Sequence, residues 1–299
     1  MQGQRRLLST SDPAFMINLT GEKALSLYAQ VVERVADILG DDFFVCGATA
    51  RDVLLTHVHK IDTGRATQDF DLGVMVRDLA QFQSLRTKLL ESTQFKPDID
   101  IHRLRFGTVA VDLLVDLIPF GGVERADRQV DLPPGDMSIN TLGYREAVSS
   151  VINVLLPGNV RARIVSLPMQ TVLKLVAWGD MNPKRGNKDA QDFRMIAWNY
   201  ERVVGTARIT DYPELFDRPD FDVNRAGAWV LGFDAGQQIV AEGSELYDRL
   251  LFLLDPASVR PGPAELAVAM NASTASENRA LVEWYRDGLS RAMAQVVSP

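Results

Sequence analysis

The residues of this chain best suited to chemistry are two carboxylates, Asp69 and Asp71, in the run Asp69-Phe70-Asp71-Leu72. As a strand, with a side-chain period of two, that run puts both acids on one face and Phe70 and Leu72 on the other. Neighbouring carboxylates repel, their desolvation is costly, and a divalent cation is the usual compensation. Mg²⁺ (or Mn²⁺) held by a few carboxylates and by substrate phosphates is a common arrangement where phosphoryl groups move. Upstream, an apolar run ends in Gly47-Ala48, a turn whose backbone N–H groups suit a triphosphate. Downstream, the apolar run Thr108–Phe120 carries Asp112 and Asp116, four apart and so on one face. Adjacent strands lie ~4.8 Å apart, so an acid there could join Asp69 and Asp71 around one or two metal ions. It could also help deprotonate an attacking hydroxyl. Lys174, in an otherwise apolar helical segment, suits a phosphate as a point charge.

Each of these residues also has a plainer reading. An isolated D-x-D often sits at a turn or a solvated strand end, and a lone lysine often covers apolar surface with its stem. His57 and His59 fall in a polar stretch without a third ligand and read as solvent-exposed. Cys46 reads as a small core residue, with no histidine partner to make it a nucleophile. The acids stand out by their combination and order.

The elements that must position these residues follow from periodicity. Glu22–Leu39 has helical spacing with one apolar face, and Phe43–Cys46 reads as a strand buried on both faces. Thr49 suits the N-cap of a helix over Ala50–Leu55, with Arg51-Asp52 either a solvated ion pair or a tie to the loop at Gly47. Residues 57–68 read as a polar loop, Asp69–Val76 as the acidic strand and Arg77–Glu91 as a helix. Asp98–Arg105 alternates without a clear assignment, and Gly121–Gly135 reads as a charged loop. Short strands are expected near Ser138–Leu142 and Val151–Leu155. Near Pro157-Gly158 the pattern turns helical: Ser166 caps a helix through Trp178, and Asn187 caps Lys188–Val204. Thr206–Asp222 is irregular, and helices follow over Arg225–Val240, Ser244–Leu254, Pro263–Met270 and Ser276–Val297. This predicts an α/β (α+β) domain over 1–158, a mixed sheet flanked by helices, and a mainly helical domain over 159–299.

Composition narrows the classes further. The chain has 299 residues, 46% apolar, enough to build roughly two cores at ~150 residues each. A net charge of −7 argues against non-specific coating of nucleic acid, which rests on Lys and Arg neutralising phosphates. Arg51, Lys184, Arg185 and Lys188 could still form a local basic patch. A single cysteine excludes a disulfide framework. No stretch approaches a membrane span, and MQGQRRLL lacks the apolar core of a secretion signal, so the expectation is a soluble cytoplasmic protein.

Gly47-Ala48, Asp69-Phe70-Asp71 and the later strand with Asp116 together resemble the nucleotidyltransferase superfamily that includes DNA polymerase beta, over about residues 22–200. Here Ala48 stands where the superfamily has Gly or Ser. The ARD-x-LL run at Ala50–Leu55 also resembles the corresponding helix of tRNA CCA-adding enzymes. Lys174 with Ala177-Trp178, then Arg185, Lys188-Asp189 and Asp192, resembles the AbiEii-type nucleotidyltransferases, toxins of type IV toxin–antitoxin systems; Met181 stands where that group has its Arg. The resemblance implies a nucleotidyl group passed from an NTP to an acceptor hydroxyl, in a tRNA 3′ end, a protein or a small molecule, with a cognate antitoxin as partner. It implies Asp69, Asp71 and Asp116 as metal ligands and catalytic residues. It also implies Lys174 and Asp192 as catalytic residues, and Gly47, Ala48, Arg51, Lys174, Arg185 and Lys188 as nucleotide contacts. Asp116 is preferred over Asp112 because its DLIPFG run resembles that group. The rival reading is a nucleotide-binding or regulatory protein without catalysis. A purely structural protein would leave the clustered acids unexplained.

Overall fold

The computed structural model describes residues 16–64, 69–108, 111–135, 137–180, 186–240 and 244–297. The chain forms two compact units that meet in sequence between Ser166 and Leu167. The first contains, in order, β1 (Ile17–Asn18), α1 (Ser26–Leu39), β2 (Phe43–Cys46), α2 (Gly47–Asp52), β3 (Asp69–Val76), α3 (Leu79–Leu90), β4 (Phe95–Pro97) and β5 (Arg103–Thr108). Then come β6 (Val111–Gly121), β7 (Gln129–Leu132), β8 (Met137–Asn140), α4 (Tyr144–Ala147), β9 (Val151–Leu156) and β10 (Val160–Val165).

Eight of these strands make one mixed sheet in the order β1-β9-β10-β2-β3-β6-β5-β4. The strand β3 runs antiparallel to β2 and parallel to β6. Such central strands are shielded on their faces, and the sequence obliges: all four residues of β2 are buried, as are Phe70, Leu72, Val74 and Val76 of β3 and Val115, Leu117 and Phe120 of β6. The rings of Phe44, Phe120 and Tyr144 cluster with centroids 5.5–6.0 Å apart. Helix α1 buries Ala29, Val31, Val32 and Val35, as its apolar stripe requires. The carboxylate of Asp78 caps α3 by accepting from the Gln81 N–H at 2.8 Å.

Several local expectations change. The helix after Gly47 begins at Gly47 itself and continues as a π-helical turn over Val53–Val58. Thr49 therefore lies inside it rather than capping it, and the loop expected over 57–68 starts later. The unassigned stretch Asp98–Arg105 leads into β5, which forms a hairpin with β6. The strand expected over Thr108–Phe120 therefore splits, Thr108 closing β5 and pairing with Val111. Within the expected loop 121–135, β7 pairs with β8. The switch to helix comes after β10, whose pairing with β9 and β2 carries the first unit through Ser166. These strands are short and charged on their open faces, so partners rather than periodicity define them. Asn187 stands at a helix N-terminus, but its side chain makes no capping bond because its backbone is not extended.

The second unit is helical: α5 (Leu167–Gly179), α6 (Lys188–Val204), α7 (Thr206–Ile209), α8 (Val223–Val240), α9 (Ser244–Leu254), α10 (Pro263–Ala269) and α11 (Ala275–Val297). Its centre is the close crossing of α8 and α11. A Cβ on Gly288 would lie 1.9 Å from the Trp229 carbonyl oxygen, and one on Gly232 would lie 2.0 Å from that of Tyr285. Trp229, Phe233, Trp284 and Tyr285 are buried around it, with Phe193 of α6 edge-on to Tyr285 at 5.0 Å. The Asp/Pro-rich stretch before α8 is tied down by Arg218 over the Trp284 ring, 3.7 Å from its centroid.

Candidate active site

The register of the sheet brings the acids of the first unit together. In the β3–β6 ladder Asp71 is directly opposite Asp116, and Asp69 is opposite Leu114. Asp69 and Asp71 are half-buried while Phe70 and Leu72 are buried, the alternation a strand imposes. Asp112 lies a full pair beyond Asp69, has a half-exposed side chain, and is held by Arg105 at 2.6 Å. Of the two alternatives on β6, Asp116 is the one beside Asp71.

Gly47, which follows β2 and opens α2, comes close to this cluster. Its φ is +68°, and a Cβ built on it would stand 1.9 Å from Oδ2 of Asp71. Only glycine leaves that carboxylate where it is. Gly47 and Ala48 open α2, and the first N–H groups of a helix have no acceptor within it. The Thr49 hydroxyl donates to the Asp69 carbonyl at 2.7 Å, tying α2 to the start of β3. Tyr28 hydrogen-bonds Thr49 and stacks on Phe70 at 5.0 Å, and burial raises its phenol pKa. Cys46, paired with Asp71 in the ladder, is buried.

Arg51 is turned inward. Its side chain is 2% exposed and its guanidinium meets Asp52 at 2.7 Å. Arg51 is buried and Asp52 is half-buried, so the pair is not the solvated one that was an alternative for it. His57 likewise differs from the exposed histidine expected: its Nδ1 is 2.9 Å from Glu22. His59 is half-buried, and burial lowers its pKa.

The neighbours of Asp116 were not legible in the sequence. Arg103, the first residue of β5, is opposite Asp116 in the β5–β6 ladder. It donates through Nε to Oδ1 at 2.6 Å and through Nη2 to Oδ2 at 2.7 Å. This is the bidentate fork that guanidinium and carboxylate favour. The hydrogen bond to Asp116 raises the Arg103 pKa. His102 stands with Nε2 4.0 Å from Oδ1 of Asp116, and its buried Nδ1 has no hydrogen-bond partner among the described residues. Burial keeps this imidazole's pKa low against the opposing pull of Asp116. The one sequence signal for this arrangement is charge complementarity between His102-Arg103-Leu104-Arg105 and Asp112-Leu113-Leu114-Val115-Asp116, readable only once the two strands are paired.

The other expected site residues lie in the second unit. Lys174 of α5 is 13% exposed, and its ammonium contacts Asp189 at 3.0 Å and Asp192 at 2.8 Å. Those acids are one turn apart on α6 and nearly fully buried, so the lysine holds two desolvated carboxylates. Asp189, which the sequence offers only as part of the Lys188-Asp189 motif, is a direct partner of Lys174. Lys188 is exposed, and Arg185 lies outside the described residues, as does Lys184.

The donor set meets some of what a divalent cation requires. Three carboxylates on adjacent strands are the hard oxygen ligands that Mg²⁺ or Mn²⁺ takes. The Arg103 fork on Asp116 is a cation already standing at one of them. Among the described residues no three His, Cys, Asp or Glu side chains converge as a ready metal cage. The set matches a cation in ligand chemistry and strand register, but its side chains do not converge as they stand, with Asp116 turned to Arg103.

The fold and this cluster define an α/β protein with a mixed sheet flanked by helices, carrying paired acids on neighbouring central strands. No family model matches the chain, and no curated protein matches it. Among solved structures it is similar to an antigenic nucleotidyltransferase-like protein from Paracoccidioides brasiliensis, at 16% identity and a TM-score of 0.41, over 70% of this chain and 94% of that one. It is similar to the antibiotic-resistance factor ANT(2'')-Ia at 13% identity and a TM-score of 0.31, over 64% and 95% of the two chains. A third likeness is to CdnC of E. coli MS115-1, solved with HORMA-deltaN, at 15% identity and a TM-score of 0.28, over 95% and 89%. At these scores the likeness is loose, and the site's own residues carry the functional reading. Among the described residues no helix is long and apolar enough to cross a membrane.

Proposed function

We propose that this chain is a metal-dependent nucleotidyltransferase, which moves a nucleoside monophosphate from an NTP to an acceptor hydroxyl with pyrophosphate leaving. The observation that carries the reading is the register of Asp71 opposite Asp116, with Asp69 on the same face and Gly47 against the Asp71 carboxylate. Asp69, Asp71 and Asp116 would hold Mg²⁺ or Mn²⁺. The bound ion supplies positive charge to the transferring phosphoryl oxygens and lowers the pKa of the attacking hydroxyl. Gly47 leaves room for the Asp71 carboxylate. Thr49 fixes the backbone at Asp69. Asp116, once off Arg103, is the carboxylate suited to take the acceptor's proton. The N–H groups of Gly47 and Ala48 are suited to a phosphate oxygen. In the second unit, Lys174 is the candidate for nucleotide phosphate, with Asp189 and Asp192 fixing its ammonium. The finer reading, a toxin of the AbiEii type with a cognate antitoxin and a tRNA acceptor, is part of the same proposal.

The test is incubation with each α-labelled NTP, Mg²⁺ and total tRNA, beside Asp69→Ala/Asp71→Ala. Label reaching RNA, the protein or an added aminoglycoside only with both acids intact supports transfer and names the acceptor class. The absence of both transfer and Mg²⁺-dependent NTP binding would refute it. One observation favours a second reading, an NTP-binding protein without catalysis: both oxygens of Asp116 are taken by Arg103. That reading expects NTP binding with no transfer to any acceptor.

A further inference from the structure

We infer that Arg103 is an internal competitor of the divalent cation: its guanidinium holds Asp116 until an arriving ion displaces it, so Arg103 sets how readily the acid site loads. The inference rests on the reading of Asp69, Asp71 and Asp116 as cation ligands, and concerns how that site is controlled.

The geometry points to competition. A bidentate guanidinium engages both oxygens of the carboxylate, and the two bonds here are short, 2.6 and 2.7 Å. A divalent ion shared by Asp71 and Asp116 would need oxygen lone pairs on the same edge and would face a fixed positive charge within contact distance. Two cations on one small carboxylate repel strongly where water is scarce. The two partners also differ in freedom. Asp116 sits mid-strand with a side chain 12% exposed, whereas Arg103 begins β5 with a side chain 28% exposed. The arginine, not the aspartate, is placed to move. Asp69, and after it Asp100 in the turn leading to β5, also act on the Arg103 charge, so the guanidinium stands against the acid cluster and not against Asp116 alone. The alternative is that Arg103 permanently orients Asp116 and the ion uses the remaining lone pairs. The two models predict opposite signs.

The experiment is titration with Mn²⁺ alone, read as free Mn²⁺ by electron paramagnetic resonance, for the wild type, Arg103→Gln, Arg103→Lys and Asp71→Asn. Competition expects Arg103→Gln to bind Mn²⁺ about tenfold tighter, the scale of losing a charge-assisted hydrogen-bonded partner. Arg103→Lys, which keeps the charge without the fork, falls between them. If Arg103→Gln does not fold, judged by its thermal melt, Arg103→Lys against wild type decides the sign alone. Equal or weaker binding in the folded Arg103 variants overturns the inference, as does no binding in any of them. Mn²⁺ binding that Asp71→Asn leaves intact refutes instead the reading of these acids as the cation site.

Discussion

Replacing Gly47 with alanine separates the site from the fold. At φ +68° an L-residue carries a backbone cost of about 1–2 kcal/mol. For a unit of this size that is a fall in melting temperature of roughly 2–8 °C. The added methyl would stand 1.9 Å from Oδ2 of Asp71, 2.6 Å from its Cγ and 2.9 Å from its Cβ. To regain an ordinary contact of 3.4 Å the carboxylate must retreat by about 1.5 Å. A displacement on the order of 1 Å in a catalytic constellation can cost about 10²-fold in rate. Gly158 supplies the control. Its backbone is also left-handed (φ 78°, ψ 10°), but a Cβ there would meet nothing nearer than 3.8 Å. Gly158→Ala should therefore show the same modest loss of stability with unchanged Mn²⁺ affinity. Gly47→Ala should lose Mn²⁺ binding and NTP turnover to near the level of Asp71→Ala. The assay is a thermal melt and a Mn²⁺ titration on the three variants. Gly47→Ala that binds Mn²⁺ as the wild type does would refute the claim that the close approach of Gly47 positions Asp71.

Other outcomes follow from the second unit. Lys174→Met leaves Asp189 and Asp192 buried without their shared ammonium, and should destabilise by about 3–5 kcal/mol in urea denaturation; Asp189→Asn/Asp192→Asn/Lys174→Met should recover much of that loss, since no buried charge of the triad remains. Asp220 accepts from the Trp284 indole at 2.8 Å, and that bond, with Arg218 and Arg225 nearby, lowers its pKa below 3.8. Its stabilising contribution is therefore present above the unfolded-state pKa and is lost as pH falls through the folded value. Asp220→Asn should flatten the acid limb of melting temperature against pH while leaving the neutral plateau only slightly lower, as circular dichroism melts between pH 2 and 6 would show.

Long helices were legible because their apolar stripes repeat over several turns. Lys188–Val204 has the expected bounds, and α8 to α11 begin and end within a few residues of expectation. Short strands with charged faces were not: β4, β5, β7 and β10 carry too few residues for a period of two to register, and only their partners identify them. Arg103 and His102 were missed for the same reason, since they sit in the stretch without an assignment. The inward turn of Arg51 had no signal either, because an Arg-Asp pair reads alike in solvent and in a core.

By itself, the sequence determined which side chains can share a face. Asp69 with Asp71 follows from the two-residue period of any strand, and a glycine beside an apolar run marks a place where backbone needs room. Those are local properties of covalent geometry. The tertiary structure alone decided what stands opposite them: Asp116 and not Asp112 beside Asp71, Arg103 across from Asp116, and Asp189 with Asp192 on Lys174. Strand register and helix packing are set by the sum of many apolar contacts far apart in the chain, and one residue of slip in a strand would turn its acids or arginine to the other face.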